Sequence, residues 1–263
     1  MSPLQAAVLG AIQGLTEFLP ISSSAHLYAV PAMLRWSYAG VAFDVALHWG
    51  TLLALVAAFW RDWWSLARSA MSNERAERKV ARQSWLKLAA ASVPAAVAGL
   101  LLEGQANALL RSLPLQATML VVFGFLLWWV DRVSPEAKSD GIPGWGACLA
   151  VGCAQAMALV PGVSRSGVTI TAARAMGLPR VSAARFSFML ATPITFGAGL
   201  LELRHLSPDL SPFVLAIGVG TAALSGFIAI HGLLRWLGRA GFGVFFAYRA
   251  LFALVIVLFT RNP

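Results

Sequence analysis

The chain has 263 residues, is 59% hydrophobic and only 12% charged, and has a mean hydropathy of +0.73. An ordinary soluble domain carries about 25% charged residues, so these figures exclude one. The formal net charge of +9 does not signal nucleic acid, because Lys and Arg stand at the ends of apolar runs, where the positive-inside rule and lipid headgroups account for them.

In chain order, the first apolar segment, 3–36, is broken near its middle by Leu19-Pro20-Ile21-Ser22-Ser23-Ser24. The first basic residue is Arg35, so the charged start of a secretory signal is missing and this segment is expected to stay in the mature protein. A clean apolar span follows at 41–60, then the most polar stretch, 61–87, with Arg61, Arg68, Arg75, Arg78, Lys79, Arg82 and Lys87. That stretch is expected to be a cytoplasmic loop. Spans at 88–103 and 114–130 come next, with Trp63/Trp64 and Trp128/Trp129 at span ends as interfacial anchors. A second broken segment, 145–179, contains Val160-Pro161-Gly162-Val163-Ser164-Arg165-Ser166-Gly167, and spans at 183–202, 213–234 and 242–260 complete the chain. Cys148 and Cys153 have no neighbouring His and are expected to be small packing residues.

The two broken segments are copies. At an offset of 142, Gly10 falls on Gly152, Gln13 on Gln155, Ile21 on Val163, Ser22 on Ser164 and Ser24 on Ser166. Broken backbone at membrane depth is tolerated only inside protein or beside a watery cavity, so each segment is expected to be a re-entrant helix–loop–helix pair. Each is followed by three spans, which turns the second copy over. The predicted fold is therefore an all-α integral membrane protein with six transmembrane helices and two re-entrant pairs in an inverted-topology repeat. The copies are 1–140 and 141–263, with both termini outside.

A helix begins after each break, near 24 and near 166. Two facing helix N-termini, lined with hydroxyls and one guanidinium, form an anion site suited to phosphate. Arg165 supplies permanent charge and a planar donor fork. The serines also suit N-capping, but capping needs no arginine at membrane depth. Glu17 lies one helical turn after Gln13 on the same face. A carboxylate beside a phosphate site calls for a bridging cation, for which Mg²⁺ is the natural candidate and Ca²⁺ an alternative, with Glu17 and Gln13 as ligands. His26 follows Ser23 by three residues and suits acid–base work near neutral pH. Thr169 and Thr171 are expected to bond back to their own helix, with Thr169 within reach of the Arg165 loop. Asp44 and His48 form a further i, i+4 pair whose role stays open, and His205 and His231 look peripheral.

At these residues the sequence resembles the undecaprenyl-diphosphatase, or bacitracin-resistance, family over essentially its whole length. One mark runs from Gln13 through Glu17 to Ser22, Ser23, Ser24 and His26; the other is Pro161-Gly-Val-Ser-Arg-Ser-Gly-Val-Thr169. The resemblance implies a metal-assisted hydrolase of the bacterial inner membrane. It would convert undecaprenyl diphosphate to the monophosphate and inorganic phosphate at a site open to the periplasm, recycling carrier lipid for cell-wall synthesis. It implies Glu17, Ser23, His26 and Arg165 as the catalytic set. The expected substrate contacts are Gln13, Ser22, Ser24, Ser164, Ser166 and Thr169. Gln13 takes the family's Gln alternative, which leaves a metal one carboxylate fewer, and His48 stands where Gln is expected. The expected partners are a polyprenyl diphosphate lipid and the bilayer, without nucleic acid; a homodimer stays open. The rival reading is an inverted-repeat transporter or lipid flippase for a phosphorylated substrate.

Overall fold

With no water in the bilayer to bond exposed backbone, a chain this apolar satisfies its amides within helices. A computed structural model describes residues 1–38, 40–102, 112–135, 141–202 and 211–261. Among them lie ten α-helices, one 3-10 turn and no strand. The helices are α1 (Pro3–Phe18), α2 (Ser23–Met33), α3 (Val41–Ala70), α4 (Arg75–Leu101), α5 (Leu113–Val133), α6 (Trp145–Ala156), α7 (Arg165–Ala175), α8 (Arg180–Glu202), α9 (Pro212–Leu237) and α10 (Gly243–Arg261). Six of them, α3, α4, α5, α8, α9 and α10, are long and apolar enough to cross a membrane, and each overlaps one of the six expected spans. The chain is a multi-pass membrane protein. His205 and Pro263 lie outside the described residues.

The basic stretch 61–87 is not a loop. α3 runs on to Ala70 and α4 begins at Arg75, leaving only residues 71–74 as a turn. A helix need not end where its apolar run ends, because Arg, Lys, Glu, Gln and Ala all favour helix in water. What changes is the path: α3 leaves helical geometry at Phe59 (φ −110°, ψ 17°), just before Trp60, Arg61 and Asp62. The turn is closed by Glu77, whose carboxylate accepts hydrogen bonds from Ser69 and Ser72, each at 2.6 Å.

The main core gathers Phe18, Phe59, Phe186 and Phe188 with Leu55, Leu88, Leu127 and Ile230 between α1, α3, α4, α5, α8 and α9. A smaller cluster of Ala25, Ala29, Ala117, Leu120, Ala253 and Ile256 joins α2, α5 and α10. α1 packs against α9 and α6 against α4, and both contacts depend on glycine. A Cβ on Gly10 would lie 3.0 Å from the carbonyl carbon of Gly218, and one on Gly152 would lie 2.8 Å from the Cα of Ala91. Outward faces carry Leu53, Trp60, Val97, Phe213, Leu224 and Leu251, all exposed, as lipid contact requires. Far from the breaks, the buried Asp131 carboxylate of α5 accepts from Arg174 of α7 (3.0 Å) and from Arg180 of α8 (2.8 Å). That ion-paired cluster fixes the end of α7 remote from Ser164.

Candidate active site

The two breaks have the same backbone. α2 and α7 each have 11 residues and begin at positions 142 apart. Their N-caps are Ser22 (φ 73°, ψ 95°) and Ser164 (φ 75°, ψ 115°), a left-handed conformation uncommon outside Gly, Asn and Asp. Ser164 Oγ caps α7 by accepting from the amide of Gly167 at 3.2 Å, whereas Ser22 makes no side-chain cap. The breaks also touch each other. The Gly162 amide donates to Ser24 Oγ at 3.5 Å, and Ser166 Oγ donates to the Leu19 carbonyl at 3.3 Å.

Glu17 is the centre of this junction and is buried. Its Oε1 accepts from Nη2 of Arg165 at 2.6 Å. Its Oε2 accepts from Ser23 Oγ at 2.6 Å and from Gln13 Nε2 at 3.1 Å. The Nε2 atom of His48 lies 3.7 Å from the same oxygen. Sequence spacing therefore places Gln13 and Glu17 correctly, and the fold adds Ser23, Arg165 and His48. Arg165 uses only half of its fork, since its Nη1 is buried and makes no hydrogen bond within the protein.

Residues 6–255 match the family described as bacitracin resistance protein BacA. The chain is 48% identical over 258 residues to the undecaprenyl-diphosphatase of Pelotomaculum thermopropionicum, covering 98% of this chain and 97% of that protein. Proteins of the same name from Gemmatimonas aurantiaca (47%, 97% of each chain) and Geobacter metallireducens (44%, 100% of each) are similar to it as well. The chain belongs to the BacA family.

In this BacA-family chain, His26 faces away from Glu17. Both ring nitrogens are engaged away from Glu17. Nδ1 lies 2.8 Å from the Ser22 carbonyl and Nε2 lies 2.8 Å from the Tyr248 hydroxyl. A carbonyl only accepts, so Nδ1 carries the proton, and in the neutral ring Tyr248 donates to Nε2. The imidazole also stacks on Phe252, with ring centroids 4.0 Å apart. His26 thus holds the carbonyl of the strained Ser22. Thr169 bonds back to the Arg165 carbonyl at 2.8 Å, as expected, and Thr171 to that of Gly167 at 2.7 Å. Thr169 also meets Ser187 of α8 at 2.6 Å, which ties the Arg165 turn to a spanning helix.

Two participants, Tyr248 and Arg249, belong to neither sequence motif. Arg249 is fully buried, and its guanidinium donates to five carbonyls. They are Pro20 (3.2 Å) in the first break, Gly162 (2.9 Å) and Val163 (3.1 Å) in the second, and Met119 (3.1 Å) and Leu120 (2.7 Å) of α5. One side chain therefore satisfies the carbonyls that both breaks free from helical bonding. The sequence does carry a signal for it: Arg249 is a charge inside an apolar span, which by itself marks function. Tyr248 carries no such mark.

Among the described residues, no group of three or more His, Cys, Asp and Glu side chains comes together to hold a metal ion. Glu17 is the site's carboxylate, and hydrogen bonds already occupy both of its oxygens. This donor set does not fit a cation held by the protein alone. Beside it, Gln13 Oε1 is buried and without a partner.

Proposed function

We propose that this chain hydrolyses undecaprenyl diphosphate to undecaprenyl phosphate and inorganic phosphate at the junction of its two breaks. The observation that carries the reading is Arg165. One arm of its guanidinium is anchored on Glu17 at 2.6 Å while the other donor, Nη1, is buried and free. A buried unpaired guanidinium donor is costly and is ready for an oxyanion. It stands in the first turn of α7, where the helix amides add further attraction for phosphate.

Ser23 and Glu17 form a nucleophile–base pair, with the hydroxyl 2.6 Å from the carboxylate. Ser23 Oγ attacks the terminal phosphorus, its proton passes to Glu17, and the bond to the bridging oxygen breaks to release undecaprenyl phosphate. Water then hydrolyses the phosphoseryl group. Arg165 and the helix ends neutralise charge on the transferred group, which is most of the work in phosphoryl transfer. Ser22, Ser24, Ser164, Ser166 and Thr169 line or brace the junction, and His26 with Tyr248 fixes the Ser22 turn.

Several features support the two copies as an inverted-topology repeat with α1–α2 and α6–α7 as re-entrant pairs. The N-caps match, and the packing exchanges partners: α1 lies on α9 while its counterpart α6 lies on α4. Charge supports a site opening to the periplasm. Along α3, His48 precedes Arg68 by ~20 residues, or roughly 30 Å at 1.5 Å per residue, and the basic end of α3 belongs on the cytoplasmic side.

The test is release of inorganic phosphate from undecaprenyl diphosphate by the purified chain in detergent, where no transbilayer gradient exists. Phosphate release is expected. A folded chain that releases none, yet moves the lipid between leaflets of a vesicle, would be a transporter instead.

A further inference from the structure

Attack by Ser23 and attack by water each release a proton, and Glu17 can take only the first. It holds the Ser23 proton until the phosphoseryl bond breaks, and then returns it to Oγ. The attacking water therefore needs a different base. Arg165 has no acceptor atom, and Gln13 offers only a neutral amide oxygen. Histidine suits the task near neutral pH, but His26 has no lone pair to give. Its Nδ1–H donates to the Ser22 carbonyl, its Nε2 accepts from Tyr248, and the residue is only 4% exposed.

His48 has what His26 lacks. Its Nδ1 lies 2.7 Å from the Asp44 carbonyl. A carbonyl only accepts, so Nδ1 carries the proton and Nε2 of the neutral ring keeps a lone pair. That nitrogen stands 3.7 Å from Glu17 Oε2, the same oxygen that Ser23 Oγ meets at 2.6 Å. Two acceptors cannot bond each other directly, and a polar pair at this separation is one that a water molecule can join. The imidazole is 35% exposed, against 7% for Glu17, so it stands on the side of the carboxylate where water arrives. A glutamine here, as the family resemblance leads one to expect, could bond that water but not deprotonate it.

We propose that His48, and not His26, is the base of the second step: its Nε2 takes the proton of the water that hydrolyses the phosphoseryl group. The water oxygen bonds to phosphorus, the bond from phosphorus to Ser23 Oγ breaks, and Glu17 gives Oγ back its proton. The water proton goes to His48 Nε2 and from there to solvent as inorganic phosphate leaves. Glu17 serves Ser23 and His48 serves water, so each of the two attacks has its own acceptor. The inference rests on the diphosphatase reading and its phosphoseryl intermediate.

The experiment uses the full chain in detergent, with undecaprenyl diphosphate radiolabelled in the terminal phosphate and rapid quenching in acid. His48→Gln and His48→Ala should each release about one undecaprenyl phosphate per chain in a fast burst, the mark of a covalent intermediate that accumulates. Turnover should then run about 100-fold or more below the parent's, the loss expected for a general base, with label held on Ser23. The burst itself shows that the variant is folded. Added imidazole should speed the His48→Ala chain and clear its label. A variant that turns over at the parent's rate would overturn the proposal. So would a slowed variant that shows neither burst nor label and gains nothing from imidazole, since that pattern belongs to a residue that only positions Glu17. If the parent itself releases no phosphate, the diphosphatase reading fails, and the inference with it.

Discussion

Arg165 and Glu17, 148 residues apart in sequence, meet at 2.6 Å and so join the two breaks through an ion pair. In the internal alignment Arg165 is the counterpart of Ser23, and Glu17 that of Leu159. The pair therefore belongs to neither copy alone. Where the copies agree, at Gly10/Gly152, Ser22/Ser164 and Ser24/Ser166, they build scaffold. At Glu17/Leu159 and Ser23/Arg165, where they differ, they build chemistry.

Arg165→Lys keeps the charge but cannot hold Glu17 with one donor and phosphate with another in one plane. Phosphate release should fall about 100-fold or more, the loss typical of removing one oriented donor at a reacting group. The melting temperature in detergent should stay near that of the parent. Turnover within a few-fold of the parent would remove Arg165 from the phosphate site.

Tyr248→Phe deletes the hydroxyl that meets His26 Nε2 at 2.8 Å while keeping the ring stacked beside Phe252. Loss of one hydrogen bond of about 1 kcal/mol corresponds to roughly a fivefold drop in kcat. His26→Gln should cost more, because it also removes the ring's hydrogen bond to the Ser22 carbonyl. Steady-state kinetics on both variants check the order, and equal losses would show that Tyr248 is the whole of the His26 effect.

Arg249→Leu leaves five buried carbonyls without their donor. A destabilisation of about 3 kcal/mol or more is expected for breaking a buried charged network, read as a lower melting temperature, and activity should fall with it. Arg249→Lys, with fewer donors, should recover part of the stability. A Leu variant as stable as the parent would mean that the breaks hold their own shape.

The last prediction concerns topology. With Cys148 and Cys153 replaced by Ser, a single cysteine at Ser72 should label only from the cytoplasm, and one at Arg261 only from outside. An impermeant thiol reagent applied to intact cells and to inverted vesicles reads both. Labelling of the two positions from one side would rule out the inverted repeat.

The six spans are legible in the sequence because apolar run length is a direct physical requirement of the bilayer. The breaks are equally plain, since Pro, Gly and Ser clustered inside an apolar run interrupt the bonding that a straight spanning helix needs. The Gln13–Glu17 pairing follows from helical spacing alone and is realised at 3.1 Å. The extent of α3 and α4 does not follow, because charge locates the membrane surface and not the end of a helix. Nor does the direction of His26. A histidine three residues past a serine has a helix face but no known neighbour until α10 packs beside it. The partners of Arg249 are hidden for the same reason: its five acceptors lie on three distant segments that no local pattern connects. Gln155 marks the opposite limit. Sequence aligns it with Gln13, yet with Leu159 in place of a carboxylate both of its amide atoms are buried without a partner.

Arg249 follows both breaks and α5 in the order of synthesis. A nascent chain therefore makes its first nine helices with the carbonyls of Pro20, Gly162 and Val163 lacking the donor that Arg249 of α10 later supplies. A translation product stopped before α10 lacks that donor for the carbonyls of both breaks. Cysteine pairs placed across the two breaks should cross-link efficiently only in chains that extend past Arg249.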